Sequence, residues 1–368
     1  MSPGSFSAAP RSLCLLRTSA VGDVTHVVPL VRTLQKHWPE TALTWLIGKP
    51  EHRLVGDLPD VEFIVSDKYA GRAGYRAVRA RLAGRRFDAL LHMQVALRAN
   101  LLSLLVKAPL RIGYDRARSK DLHGFFVNCR IAARRGDHVL DALASFLDPL
   151  GLGQSEVRWD IPLPDEAREF AARHLPEAGP TLLVSPCSSH RLRNWRAERY
   201  AAVMDHAALA LGWRVVLCGG PGAFEREFGD AILARMKTRP IDLVGRDTLK
   251  QLLAMLQRAT LLLAPDSGPM HMANTVGTPV LGLHAASNPA RSGPYCDRRW
   301  CVDRYAAAAQ KFRRKPVEAL PWGAKLEHSG VMDLIEVDDV IERLDAFIAA
   351  GMPRTGNHSG RPAVASRG

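Results

Sequence analysis

Long apolar runs are missing from this sequence. One of the best, Leu101 to Val106, includes Ser103 and stops at Lys107, well short of the roughly 20 residues a membrane-spanning helix needs. No membrane span is expected. The start, MSPGSFSAAPRSLCLLR, lacks a cationic segment followed by a long apolar core, so no secretory signal is read and a cytoplasmic location is expected. Cys14, Cys129, Cys187, Cys218, Cys296 and Cys301 show no CxxC spacing, which argues for reduced thiols and against a disulfide framework. Cys296 and Cys301 are close, but no third or fourth ligand follows at a usual spacing, so no metal site is expected. Three motifs are also missing: a GxGxxG after the first strand, any GxxxxGK[ST], and any Asp-x-Asp. Dinucleotide-dependent hydride transfer and P-loop ATP chemistry are thereby set aside.

Acid is scarce in one region. From Lys68 to Lys120 thirteen Lys and Arg face only Asp88 and Asp115, within a chain whose formal net charge is +13. Such a stretch suits nucleic acid, an anionic membrane surface, a polyanionic substrate or simply a solvated helix face, and charge does not choose among them. Aromatic side chains for stacking bases are few there, little beyond Tyr69, Tyr75 and Phe87, so nucleic acid is not the expected partner.

What is present is ordinary globular material. Hydrophobic residues make up 47% and charged residues 24% of 368 positions, which argues against disorder and gives length enough for two domains. Short apolar runs alternate with helical spacing throughout. Strands are predicted at 13–17, 41–47, 61–65, 87–93 and 110–114, with helices from Val24, over 75–82 and over 97–106, and a closing helix over 139–150. The second half repeats the pattern: strands at 181–185, 214–219, 241–245, 260–265 and 279–284 alternate with helices at 197–211, 223–236, 249–257 and from Pro269, and a terminal helix covers 335–348. This alternation predicts an α/β chain of two doubly wound, mostly parallel, Rossmann-like sheets. The expected division is a flexible leader at 1–12, a first domain at 13–160, a second at 161–350 and a disordered tail at 351–368. Residues 289–327 read as an irregular connection with one short strand near 300–302.

In open parallel sheets, ligands sit at loops that follow strand C-termini. Four such loops stand out: TSAVGDVTH (18–26), SPCSSHRLRNW (185–195), CGGPGAFERE (218–227) and APDSGPMHMA (264–273). In the last, an apolar strand runs into Asp266, Ser267 and Gly268 at a helix start, which aims backbone N–H groups at an anion. His271 reads either as a donor to that anion or as a core histidine. Ser188, Ser189 and Arg193 add hydroxyl and guanidinium donors on a second loop. Asp23 reads as a general base or as a helix cap. Asp247 and Thr248, after the strand IDLVG, are candidates near a nucleobase, and Trp195 reads as packing or as a sugar platform.

These stretches together resemble glycosyltransferase family 9, the lipopolysaccharide heptosyltransferases. The resemblance rests on SAVGD (19–23), SSHRLRNW (188–195), CGGPGAFE (218–225) and DSGPMH (266–271) followed by VGTPVLGLHAASNP, and spans Leu13 to Ile348. It implies a GT-B fold with a cleft between the domains, an ADP-heptose donor held mainly by the second domain, and inversion at the anomeric carbon without a metal or other cofactor. It also implies Asp23 as base, Arg193 as the cation on the diphosphate, and Glu225 at the ribose position, though a plain helix-start glutamate reads equally there. Asp266 then contacts a donor sugar hydroxyl or orients Ser267 and backbone N–H groups. Gly22, Arg72, Arg116, Arg118 and Lys120 fall to an anionic lipopolysaccharide core acceptor, with peripheral contact at the inner membrane. One departure stands out: the family commonly carries Lys where Arg193 stands, and the two are not geometrically equivalent. A different nucleotide sugar, an epimerase-like GT-B enzyme, and a non-catalytic anion-binding module are the competing readings.

Overall fold

The computed structural model describes residue 6 and residues 8–134, 136–153, 157–176 and 179–354. The expected tail beyond Arg354, half of the expected leader and part of the expected connector at 151–154 lie outside them. The chain forms two compact units, the first extending to Pro162 and the second beginning at Leu163.

The first unit runs β1 (Ser12–Leu16), α1 (Val21–His37), β2 (Ala42–Gly48), α2 (Lys49–Val55), β3 (Val61–Ser66), α3 (Gly71–Leu82), β4 (Ala89–His92), α4 (Leu97–Ser103), β5 (Leu110–Gly113), β6 (Cys129–Arg130) and α5 (Val139–Ala144). Its six strands pair in the order β3-β2-β1-β4-β5-β6, all parallel. β1 lies in the middle, and Leu13 through Leu16 are fully buried. A strand covered by helices on both faces has no polar side to show, which is why it reads as an unbroken apolar run.

The second unit contains α6 (Asp165–His174), β7 (Thr181–Val184), α7 (Ala197–Leu209), β8 (Arg214–Leu217), α8 (Ala223–Leu233), β9 (Ile241–Asp242), α9 (Leu249–Arg258), β10 (Leu261–Pro265), α10 (Gly268–Thr275), β11 (Val280–His284), α11 (Pro289–Ser292), β12 (Val302–Asp303), α12 (Tyr305–Arg313) and α13 (Val337–Ala349). The sheet order is β12-β11-β10-β7-β8-β9, again parallel. Counted from its own first strand, this is the order of the first unit, the 3-2-1-4-5-6 of a Rossmann-like sheet. Each order reverses between its two central strands, β1 and β4 or β7 and β10. Trp195, Tyr200 and Phe347 belong to one core with Leu261, Leu263 and Leu283, and each fully buried side chain of this size contributes about 2 kcal/mol.

Two expectations are corrected. The stretch 289–327 is not irregular throughout: α11 and α12 lie within it. α12 buries Tyr305, Ala308 and Ala309, the three-and-four spacing of a helix face, on an alanine-rich segment of high helix propensity. The Pro- and Arg-rich flanks hide that period. The helix expected over 139–150 is α-helical only to Ala144 and continues as a 3₁₀ turn over Ser145–Leu150, where Pro149 removes a donor that an α-helix needs.

Gly48 marks a close approach. A Cβ there would lie 2.1 Å from the Thr18 carbonyl oxygen and 2.2 Å from Glu51 Oε2, so only glycine lets β2 pass the loop that leads to α1. No described helix is long and apolar enough to cross a membrane.

Candidate active site

In the first unit, the loop between β1 and α1 is held from three sides. Arg17 donates to the Ser19 and Met93 carbonyls at 2.7 and 2.5 Å. Gln94 accepts from the Thr18 N–H and hydroxyl and donates to Ser19 Oγ, and Trp45 Nε1 donates to the Arg17 carbonyl. The Ser19–Ala20 peptide is cis. Asp23 falls on the third residue of α1, beside buried Gly22. Its Oδ2 accepts the Ala20 N–H at 3.2 Å and lies 2.5 Å from Arg17 Nη2. The capping reading is therefore realised, and an ion pair is added that fixes the carboxylate's orientation. Burial works against the charge of Arg17, but Asp23 and Tyr114 outweigh it and hold the guanidinium's pKa above its ordinary value. Arg17 was legible only as the end of a strand.

The basic residues of the first unit divide. Arg118 is committed: its Nε is ion-paired with Asp115, its Nη2 donates to the Ala132 carbonyl, and its guanidinium lies over the Tyr114 ring. Arg116 and Lys120 are exposed. Arg72 lines a cavity between α3 and α4 with Ser66, Tyr75 and Arg98.

In the second unit the other three flagged loops, 185–195, 218–227 and 264–273, follow strands of one sheet, and the first two touch each other. Arg191 stacks 4.2 Å from the Phe224 ring centroid, which joins the 185–195 loop to the start of α8. Glu225 Oε2 accepts the Gly220 N–H at 2.6 Å, so the glycine turn is folded over this carboxylate. Gly245 donates to the Gly219 carbonyl at φ +75°, and a Cβ there would lie 3.3 Å from Pro221 Cα, a position that favours glycine. Asp247 follows it, half-buried. Burial first, and the charge of Glu225 second, push its pKa from 3.8 up to about 7. Thr248 is the N-cap of α9, its hydroxyl accepting the Gln251 N–H, a structural use that the sequence reading did not separate from nucleobase contact.

β10 delivers Asp266, and Ser267 caps α10 in extended conformation. Gly268 and Pro269 open the helix, where proline's missing N–H costs nothing. The Ser267 side chain makes no cap hydrogen bond, and its Oγ is buried with no partner. Orphan first-turn N–H groups beside an unpartnered hydroxyl are donors with the chemistry to receive an anion. Asp266 is only 6% exposed. Its Oδ2 accepts from Lys325 Nζ at 2.6 Å and Ser292 Oγ at 3.1 Å, and its Oδ1 lies 3.7 Å from His271 Nε2. Burial alone would raise its pKa, but His271 and the charge of Lys325 hold it well below the usual carboxylate range. Nearby His284 is pushed down to about 4 by burial and is neutral.

Lys325 escaped sequence reasoning, as did its neighbour Glu327. The segment bridges Ser287 through Lys325 and donates from Leu326 N to the Ala286 carbonyl. Glu327 Oε1 accepts from both Nε and Nη2 of Arg193 at 2.7 Å, and its Oε2 lies 3.5 Å from His190. Residues 325–327 thus clasp Asp266 and Arg193 at once. Ser188 is turned inward to its own loop, donating to the His190 carbonyl, and Ser189 is exposed. Trp195 packs, with Nε1 on the Ile335 carbonyl and its ring against Tyr200. All six cysteines are free, and among the described residues no group of three or more His, Cys, Asp or Glu could hold a metal ion.

Two Rossmann-like units in tandem, each with this sheet order, are the architecture of the GT-B fold. The chain belongs to glycosyltransferase family 9 (heptosyltransferase), whose model matches residues 75–321, and it is a glycosyltransferase. It is 39% identical to the lipopolysaccharide core heptosyltransferase OpsX of Haemophilus influenzae, over 92% of this chain and 97% of that one. Its fold matches the family 9 glycosyltransferase of Veillonella parvula (TM-score 0.74, 23% identity, 95% of this chain and 99% of that one). It also matches the ADP-heptose lipopolysaccharide heptosyltransferase II of Escherichia coli (TM-score 0.68, 18% identity, 93% and 100%).

Two predictions arise from the second unit. Replacing Lys325 by Met strands a buried carboxylate and is expected to cost about 3 kcal/mol in urea unfolding. The K325M/D266N double variant should recover at least half of that loss; additive losses would show that the pair is not coupled. For Asp247 the sign follows from its raised pKa: the folded state keeps the proton, and that stabilisation is lost as pH rises through about 7. Asp247→Asn should therefore gain stability over the parent as pH rises from about 4 to about 7 and keep that gain above it, and parallel pH profiles would contradict it.

Proposed function

We propose that this enzyme transfers heptose from ADP-heptose to the inner core of lipopolysaccharide, with inversion and without a metal ion. The observation that carries the reading is the start of α10, where the unpartnered Ser267 Oγ and the first-turn N–H groups lie beside a carboxylate already neutralised by Lys325. Cleaving a sugar–diphosphate bond leaves charge on the diphosphate, and fixed donors aimed at that charge are the largest single aid to its departure. Arg193, with two nitrogens on Glu327, adds a cation from the neighbouring loop. Glu225 and Asp247 take the nucleoside end of the donor, and Ser188, Ser189 and Gly268 complete the diphosphate loops. The sugar and acceptor come from the relatives: OpsX is named for the lipopolysaccharide core and the E. coli structure for ADP-heptose.

In the reaction, an acceptor hydroxyl oxygen attacks the anomeric carbon as the bond from that carbon to the diphosphate oxygen breaks. The electron pair leaves with ADP, and the hydroxyl proton passes to the Asp23 carboxylate. Arg17 and the Ala20 N–H hold that carboxylate in place from Oδ2, which is what a base needs before its proton arrives. Gly22, Arg72, Arg116 and Lys120 lie in the same unit and receive the anionic acceptor. Arg118 acts through Asp115 instead, as a support for its loop. The acceptor is a membrane lipid, so the enzyme works in the cytoplasm at the inner membrane surface.

Asp23→Asn should lower kcat by at least about 100-fold while ADP affinity by calorimetry stays within about twofold of the parent's, a difference well under 1 kcal/mol. Near-normal turnover by the variant would remove Asp23 as the base.

A further inference from the structure

Eight of the eleven exposed large apolar side chains among the described residues fall between Val65 and Phe125: Val65, Tyr69, Tyr75, Leu97, Leu101, Leu104, Leu122 and Phe125, the other three being Leu192, Leu209 and Met352. The same stretch holds the excess of Lys and Arg. An exposed apolar patch of this concentration is not an ordinary surface.

The two properties are laid out in register. On α4 and its C-cap, Leu97, Leu101 and Leu104 are spaced four and three apart, one face of a helix. On α3, Arg72, Arg76 and Arg79 have the same spacing and are all exposed. The stripes meet at a cavity of about 420 Å³ lined by Arg72, Tyr75, Leu97, Arg98 and Leu101 among others. Arg72, Arg76, Arg79 and Lys107 make no ion pair among the described residues. By contrast, Arg81 and Arg85, also in the basic run, are paired to Glu62. Lys68, Arg86, Arg116 and Lys120 are likewise without an ion pair among the described residues, so the cations beside the apolar stripe are part of a wider set free to meet an external anion.

The platform under the stripe is rigid. Asn100, on the buried side of α4, accepts from His92 Nε2 at 2.9 Å and His123 Nδ1 at 3.0 Å, and it donates to the Asp121 carbonyl at 2.8 Å. Burial pushes the two histidines down to about 3 and about 4, so both are neutral. Asp121 also accepts the Leu97 N–H, which sets the loop carrying exposed Leu122 and Phe125 against the start of α4.

We infer that the α3–α4 face docks on an anionic phospholipid bilayer, with Leu97, Leu101 and Leu104 inserted at the headgroup level and Arg76, Arg79, Arg98 and Lys107 on lipid phosphates. Charge complementarity selects this occupant. A second copy would bring the same unpaired cations against each other, and nucleic acid would leave the leucines in water. Apolar insertion and basic contacts supply the two signals that stable interfacial binding needs. The inference deepens the proposed function by assigning the surface that brings a soluble donor site to a lipid acceptor.

The test uses the full chain with vesicles of phosphatidylethanolamine and phosphatidylglycerol, against vesicles of phosphatidylcholine, in a flotation assay. The parent should bind only the anionic vesicles, and binding should fall with salt. L101E/L104E and, separately, R76E/R79E should weaken it by about tenfold or more. Transfer to a de-acylated, water-soluble core acceptor is read in parallel and should be unchanged in both variants. Equal vesicle binding by parent and variants overturns the inference. So does a parent dimer on sizing that L101E/L104E converts to monomer, which gives the face to a second copy. Loss of vesicle binding with transfer retained supports it. A parent that binds vesicles but transfers no heptose refutes the proposed function and leaves the docking surface standing.

Discussion

The pair between Asp266 and Lys325 is the contact on which the second unit's chemistry depends. A carboxylate buried at the mouth of a helix N-terminus would by itself repel a diphosphate, and its desolvation would favour protonation. With Lys325 Nζ at 2.6 Å and His271 on the other oxygen, it is ionised, compensated and fixed. The net charge presented to an incoming anion is then set by the helix start, Ser267 and Arg193. The same short segment holds Arg193 through Glu327, so one returning stretch of chain tunes both the strand-end loop and the loop before Trp195. A buried ion pair of this kind contributes little net stability, but losing one partner is costly, which suits a device for placing charges.

The first unit uses a similar device at smaller scale. Arg17, at the end of the central strand, is ringed by carbonyls and paired with Asp23. Gly48 lets β2 run close enough to lock that loop from the side. In each unit a residue at the C-terminal end of a central strand is joined to an oppositely charged partner, and the loop after that strand starts the next helix. The common sheet order explains why: both loops leave their sheet beside the point where the strand order reverses.

Much of this was legible in the residues. LCLL and LLLAP announce buried central strands because a strand covered on both faces has no polar alternation, and DSGPMH announces the turn from strand into helix. The rest was hidden for identifiable reasons. Lys325 and Glu327 sit about sixty residues beyond Asp266 in a stretch without period, so only the chain's return brings them near. Arg118 counts the same as Arg72 in a charge tally, yet one is bound to Asp115 and the other lines a cavity. Thr248 has the composition of a ligand contact and the hydrogen bond of a cap. The α12 helix was lost among prolines and arginines, although its buried positions keep a helical spacing.

The most direct measurement is a crystal structure of this protein with ADP bound. The account predicts the β-phosphate at the start of α10, within hydrogen-bond reach of Ser267 Oγ and first-turn N–H groups, with the Asp266–Lys325 pair intact beside it. A diphosphate seated elsewhere, or one that draws Lys325 away and leaves Asp266 unpaired, would contradict the central claim.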